Sequence, residues 1–386
     1  MSVDLSYFLH YLAESKAHSE IVYGVHAVSI PSLTAVLLPG SEDRYTVEKW
    51  ILCGESWTFA AVFDGHGGSE AAEFVLNELP AALKTALMSE LDANRQASLN
   101  DDEIAQLLSR VLVDLDNRIL EEFKSLLPDD LSQVSADDAA LVFQDPSSAS
   151  SKFRIEVLRA LSGTTATVAL IDPFNAVHVA SVGDSDAFVC AADNTSTGWD
   201  TRSLGPRHNC SSLAEVARIR AEHPGEEFCV TNCVPNGLVL AVLGRITLSR
   251  ALGDMPFKLP MDYMRLLLPV PALEERNLTP PYLSNIPDVQ HYRFPSSIKN
   301  QYLILSSDGF ADLFKLVHGV TDPVELASMC ASIASLAEAE GKNMSVSLLW
   351  EAFGGNNGHN IFRESVERTH SRGKVDDITV VVIPIP

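Results

Sequence analysis

The sequence predicts a mixed α+β chain, and three observations carry that reading. Short, wholly apolar runs such as 57–63 (W-T-F-A-A-V-F) and 302–305 (Y-L-I-L) have the composition of strands covered on both faces. Two longer stretches, 70–87 and 101–127, space their apolar residues at helical intervals. The apolar run 166–171 meets Asp172-Pro173 and resumes at 176–181, the pattern of an antiparallel hairpin.

With 386 residues the chain can form one large domain or two modest ones with a full core. Acids outnumber bases 51 to 28, for a formal charge of −23. That balance argues against a nucleic-acid partner, which needs a basic face. The six cysteines (Cys53, Cys190, Cys210, Cys229, Cys233, Cys330) include no C-x-x-C pair, and read as reduced thiols of an intracellular protein. Cys229 and Cys233, with His208, Cys210 and His223 nearby, match no common zinc spacing. The N-terminus carries Asp4 and Glu14 and lacks a basic or Arg-rich segment, so neither a signal nor a transit peptide is expected. No apolar run approaches the ~20 residues that cross a bilayer. A cytoplasmic protein without a membrane span is the expectation.

Residues 1–20 read as an amphipathic helical extension, with Leu5, Phe8, Leu9 and Leu12 on one side, packed on a single unit spanning 21–386. Pro39-Gly40 marks a turn, and Ser41-Glu42-Asp43-Arg44-Tyr45 opens the strand before Trp57. The strand 57–63 then breaks into Asp64-Gly65-His66-Gly67-Gly68. A carboxylate at the mouth of a buried strand either caps the next helix or holds a cation. Ser69 starts that helix, which displaces Asp64 from the capping position. Glycines on both sides of His66 let the backbone approach a ligand and expose the Gly65 carbonyl.

Pro80 should kink or divide the helix of 70–87. The segment 128–151, rich in Asp and Ser, reads as a mobile surface loop inserted into the unit. After the hairpin, Val182-Gly183-Asp184-Ser185-Asp186 sets another acid in a glycine-containing bend. Within 204–253, a flap-like region, Ser212-x-x-Glu215 is a capping box and Pro224-Gly225 stops its helix. The proline-rich stretch 255–287 reads as a second, extended insertion offering a surface to substrate or partner. Residues 302–309 repeat the opening theme, an apolar strand ending in Asp308-Gly309. Asp322 and Pro323 open a helix that Gly341 ends, and Val375-Asp376-Asp377 precede a final buried strand.

Glu42, Asp43, Asp64, Asp184, Asp308 and Asp376 thus each stand at the end of, or a bend in, a strand that wants burial. A bare buried carboxylate is costly, so each must be paired or metal-bound. Basic residues are too scarce nearby to pair with all of them. Oxygen-only ligation suits a hard cation, Mg²⁺ or Mn²⁺, and this many acids fit two ions better than one. Two ions about 3.5–4 Å apart that share a carboxylate acidify a bridging water and clamp phosphoryl oxygens. A histidine two residues from the shared ligand is placed to protonate a leaving oxygen. The chemistry indicated is hydrolysis of a phosphate ester.

The motifs E-D (42–43), V-F-D-G-H-G-G (62–68), S-G-T-T-A (162–166), V-G-D-S (182–185), S-R-A-L-G-D (249–254), S-D-G (307–309) and D-D-I-T-V-V (376–381) resemble those of the type 2C metal-dependent protein phosphatases, in that family's order. The resemblance implies a four-layer αββα sandwich, two antiparallel sheets flanked by helices. It implies a serine/threonine phosphoprotein phosphatase in which a water bridging two metals attacks, with no phosphoenzyme. Asp64 would bridge the ions, Asp308 and Asp376 would complete the first, and the Gly65 carbonyl the second. Glu42 and Asp43 would act through metal-bound waters, Asp184 with Asp308 would hold a weaker third ion, and His66 would be the general acid.

Two departures stand out. Many members carry a phosphate-gripping arginine where this chain has Leu38, and the motif usually written G-D-S-R ends here in Asp186. L-P-x-S-E-D-R, the segment 208–224 and T-P-P-Y-L (279–283) are similar to the pyruvate dehydrogenase phosphatase branch, which also lacks that arginine and raises a mitochondrial location. The rival readings are a weak or inactive pseudophosphatase serving as a binding module, and a metallo-phosphoesterase acting on small metabolites.

Overall fold

The computed structural model describes residues 5–14, 17–32, 40–94, 98–147, 153–193, 198–234, 237–267, 275–356 and 375–386. Two antiparallel sheets dominate. One has the strand order His18–Val22, Val25–Ile30, Ile378–Pro384, Gln301–Ser306, Asp186–Ala192, Trp199–Ser203. The other has the order Asp288–Arg293, Ala176–Val182, Ala166–Ile171, Glu55–Phe63, Arg44–Leu52. Every pairing within both is antiparallel.

Alternation along the strands sends small and β-branched residues from both sheets into one shared layer. Ala60, Val62, Ala169, Val179, Val189, Leu303, Leu305 and Val381 pack there. The outer face of the five-stranded sheet is covered by the helices Glu70–Asn94 and Asp101–Lys124, through Leu79, Leu83, Leu108 and Leu112. The outer face of the six-stranded sheet is covered by Asp308–His318, Pro323–Ala339 and Met344–Ala352. The result is helix, sheet, sheet, helix, as the resemblance implies.

Several local expectations need correction. The first helix is only Leu5–Glu14; Phe8 and Leu12 are buried against Trp350 and Phe353, whereas Leu9 faces solvent and His18–Val22 is already a strand. Pro80 does not divide its helix, which runs from Glu70 to Asn94. Leu79, Leu83, Leu87 and Leu91 are all buried across the proline, and that burial outweighs the missing backbone hydrogen bond.

The stretch 128–151 contains the helix Ala136–Phe143, capped by Ser135, with Ala139 and Phe143 in the core. Asp137 and Asp138 sit in the first turn of that helix, where negative charge is favourable, so an acidic composition that resembles a loop also suits a helix start. Likewise 255–287 holds the helix Met261–Leu267, whose Met264 and Leu267 are buried, and a buried Tyr282. Residues 148–152 and 268–274 lie outside the described residues.

Candidate active site

Antiparallel register gathers the acids. Arg44 pairs with Phe63, so Glu42 and Asp43, just before one strand, meet Asp64, just after its neighbour. Ser306 pairs with Val380, which likewise brings Asp308, after one strand, to Asp376, before the next. Asp184 lies in the crossing from Ala176–Val182 of one sheet to Asp186–Ala192 of the other. Since Ser306 also pairs with Asp186, that crossing is at the same end of the sandwich. The acids foreseen on separate strand ends therefore converge on one edge of both sheets.

Asp64 is held by its own backbone. Its N–H donates to Thr165 Oγ1 at 3.1 Å, and its carbonyl accepts from the Thr165 N–H at 2.9 Å. The Asp308 N–H, at the start of the helix Asp308–His318, approaches Asp64 Oδ2 at 3.4 Å, so the positive helix end faces the carboxylate. Gly65 is required where it stands, because a Cβ would lie 2.5 Å from the Glu42 carbonyl oxygen. Asp377 holds the backbone of both Glu42 and Ser32: Oδ2 accepts the Glu42 N–H at 2.6 Å and Oδ1 that of Ser32.

The electrostatics are those of crowded acids. Burial pushes the Asp43 carboxyl up to about 8, with Asp377 and Asp308 adding to the rise against the Ser307 and Thr379 hydroxyls. Asp64 is raised well above the usual range by burial and by Asp43, Asp308 and Asp184. Asp308 is pushed up to about 7 by burial and Asp184. Asp184 and Glu42 are raised, chiefly by burial, and Asn209 Nδ2 donates to Asp184 Oδ2 at 2.9 Å. Asp376 is exposed at the rim. Asp43 is buried, and neither of its oxygens has a partner at full hydrogen-bond geometry among the described residues; the Ser307 and Thr379 hydroxyls act on it only as nearby dipoles. An orphaned buried carboxylate beside several repelling carboxylates is the donor set of a hard divalent cation. The residues fit that group.

His66 stands on the short strand Gly65–His66, with Nε2 2.7 Å from Asp254 Oδ2. Burial depresses its pKa, but the charge and hydrogen bond of Asp254, with Asp184 and Glu42 beyond, outweigh it and the net shift is upward. Asp254 is buried and left-handed at φ 52°, after Gly253 at φ 76°. Gly163 faces the pair, and any Cβ there would collide with both side chains. The Gly253 N–H in turn donates to Asp116 Oδ1 at 2.7 Å; Asp116 also accepts from Lys258 and from Asn285.

Sequence reasoning missed Asp254, Asp116 and Asp377 as working residues. Asp254 and Asp377 belong to motifs already noticed; Asp116 carries no local signal. Of the two departures, Leu38 lies outside the described residues. Asp186 is buried and gripped by Arg207, whose Nε donates to Oδ1 at 2.9 Å while a second nitrogen reaches Oδ2. The cysteine and histidine group proposed against zinc is otherwise engaged: His208 pairs with Asp288 and His223 with Thr279. All six cysteines are free thiols.

A model of the protein phosphatase 2C family matches residues 38–322. The chain is 30% identical over 285 residues to pyruvate dehydrogenase (acetyl-transferring) phosphatase 1, mitochondrial, of Saccharomyces cerevisiae, covering 71% of this chain and 44% of that protein. It is 27% identical over 287 residues to a protein phosphatase 2C homolog of Schizosaccharomyces pombe, covering 71% and 57%. This chain therefore spans about half the length of these curated relatives. A serine-threonine phosphatase 2C from Toxoplasma gondii superimposes with a TM-score of 0.60 at 16% identity, over 96% of this chain and 99% of that one, a likeness of fold.

Proposed function

This chain belongs to the protein phosphatase 2C family, a metal-dependent family, and we propose that it hydrolyses phosphoserine and phosphothreonine in proteins. The observation that carries the reading is the convergence of Glu42, Asp43, Asp64, Asp184, Asp308 and Asp376 on one sheet edge, with neither oxygen of the buried Asp43 at full hydrogen-bond geometry to a partner among the described residues. We assign Glu42, Asp43, Asp64, the Gly65 carbonyl, Asp184, Asp308 and Asp376 as the residues that hold Mg²⁺ or Mn²⁺, two ions and a weaker third. Bound cations supply positive charge to the phosphoryl oxygens and lower the pKa of water.

The chain's own contribution is to orient and to move a proton. With Nε2 engaged by Asp254, His66 keeps Nδ1 as the nitrogen that can pass a proton to the leaving serine or threonine oxygen. The upward shift of its pKa favours the protonated form that a general acid uses. The complete acid set and the His66–Asp254 pair favour turnover over the pseudophosphatase reading. We further propose one catalytic unit that takes in the strand His18–Val22 as well as 21–386, with the helical segment Leu5–Glu14 packed on it.

No helix among the described residues is long and apolar enough to cross a membrane. Relatives from yeast and from mammals carry "mitochondrial" in their names. A mitochondrial location is the reading those names support, and cell fractionation separates it from a cytoplasmic one. Function is tested with purified protein on a phosphothreonine peptide and on small phosphorylated metabolites, with Mn²⁺ and with EDTA. Peptide turnover that EDTA abolishes supports the proposal. Turnover confined to metabolites would replace it with the small-molecule reading.

A further inference from the structure

His178 and His291 face each other across two neighbouring strands, in direct register, with Nδ1 to Nδ1 2.7 Å apart. Asp101, first residue of the helix Asp101–Lys124, brings Oδ1 within 3.9 Å of His178 Nδ1. The three ligand atoms all lie within 4.8 Å of one another. His178 is fully buried, His291 half-buried, and Asp101 opens to solvent. We propose that His178, His291 and Asp101 form a second metal site, which takes a borderline transition cation such as Zn²⁺ through two imidazole nitrogens and a carboxylate oxygen.

Only one proton fits between two Nδ1 atoms at this spacing, so at least one ring already presents a lone pair there. Burial lowers the pKa of His178 to about 4, and that of His291 falls as well, so neutral rings are what the site offers a metal. Tetrahedral zinc, with bonds of about 2.0–2.1 Å, separates its ligand atoms by roughly 3.3 Å. The nitrogens must part by about 0.6 Å, and the carboxylate, 3.9 Å from His178 Nδ1 and within 4.8 Å of His291, must close by roughly 0.6–1.5 Å, which rotation of the solvent-facing Asp101 and half-buried His291 side chains supplies. Arg293 donates to Asp101 Oδ1 at 2.6 Å and is the competing cation; it is largely exposed and can leave without a buried vacancy.

The donor chemistry separates this site from the acid edge. Imidazole favours zinc-like ions, whereas the carboxylate cluster favours Mg²⁺ or Mn²⁺. Six residues of nearly extended chain, roughly 20 Å, separate His178 from Asp184. A cation here would join the start of the helix Asp101–Lys124 to the strands Ala176–Val182 and Asp288–Arg293.

The test is a titration of the full chain with Co²⁺, a spectroscopic stand-in for Zn²⁺, in saturating Mg²⁺, followed by visible absorption and competition with Zn²⁺. One equivalent with tetrahedral bands is expected, bound at least ~10–100-fold more weakly in His291→Ala. The same equivalent should persist in Asp308→Asn, which alters only the acid edge. Asp101→Asn gives a second variant on an exposed residue should His291→Ala fold poorly. No stoichiometric binding, or binding that survives His291→Ala and Asp101→Asn but disappears in Asp308→Asn, would overturn the proposal.

Discussion

His66 and Asp254 are 188 positions apart in the chain and 2.7 Å apart in space, Nε2 to Oδ2. The contact exists because Gly163 leaves room for it and because Asp254 accepts a left-handed backbone. If His66 delivers the leaving-group proton, its loss should matter most where the leaving oxygen is basic. His66→Ala and Asp254→Asn are predicted to slow hydrolysis of a phosphothreonine peptide by about 100-fold or more. An aryl phosphate, whose leaving group needs no proton, should lose far less. Equal losses on both substrates would remove His66 from that role.

Asp116 acts one step further back. It holds the Gly253 N–H, and so the backbone that presents Asp254, while neutralising the buried Lys258. Asp116→Ala strands that lysine, and breaking such a pair costs about 3–5 kcal/mol, read as a lower Tm. The milder Asp116→Asn should lower kcat on the peptide with KM unchanged, and spare the aryl phosphate. That pattern would mark it as positioning His66; a Tm change alone would mark it as structural.

Arg207 pairs with the aspartate that stands at position 186, where the family motif usually has arginine. Its guanidinium neutralises Asp186 and acts on Asp184 and Asp308 nearby. A double-mutant cycle with Arg207→Gln and Asp186→Asn should give a coupling of about 2 kcal/mol in unfolding free energy. Arg207→Gln alone should also lower the cation concentration that gives half-maximal activity, because a positive charge leaves the acid edge. An unchanged or higher requirement would separate Arg207 from the metal residues.

Glu215 pins the helix Leu213–Glu222 to Arg250 and Ser249, with Arg218 of the same helix pairing with its carboxylate as well. Burial raises its pKa, but the hydrogen bonds from both arginines and Ser249 more than reverse this and hold it well below the usual range. A depressed folded pKa means stability that is fully present above the unfolded value near 4.5 and is lost as pH falls toward the depressed one. Glu215→Gln should therefore lower Tm at neutral pH, by an amount that shrinks on acidification below about 4.5. A pH-independent difference would point to lost packing instead.

How far the site could be read from the chain depended on whether its cause was local. Asp64 and Asp308 were legible because apolar strands end abruptly in Asp-Gly, a pattern that burial alone makes conspicuous. The αββα layering was legible through motif order more than through periodicity. The helix Ala136–Phe143 was not, because its aspartates resemble a loop until Ala139 and Phe143 are seen in the core. Asp186 looked like a lost charge, since Arg207 lies 21 positions away and meets it only in the folded chain. Asp116 reaches Gly253 across 137 positions, and no spacing rule predicts that.

On the proposed function, the converging carboxylates bind the divalent cations on which turnover depends. Calorimetric titration of Mn²⁺ into the protein and into Asp308→Asn, with phosphothreonine-peptide hydrolysis followed in the same samples, tests it most directly. The account predicts Mn²⁺ binding with release of protons from the crowded acids, and turnover that rises with occupancy. In Asp308→Asn both should fall together. Turnover that persists in EDTA, or Mn²⁺ binding and turnover left intact by Asp308→Asn, would contradict it.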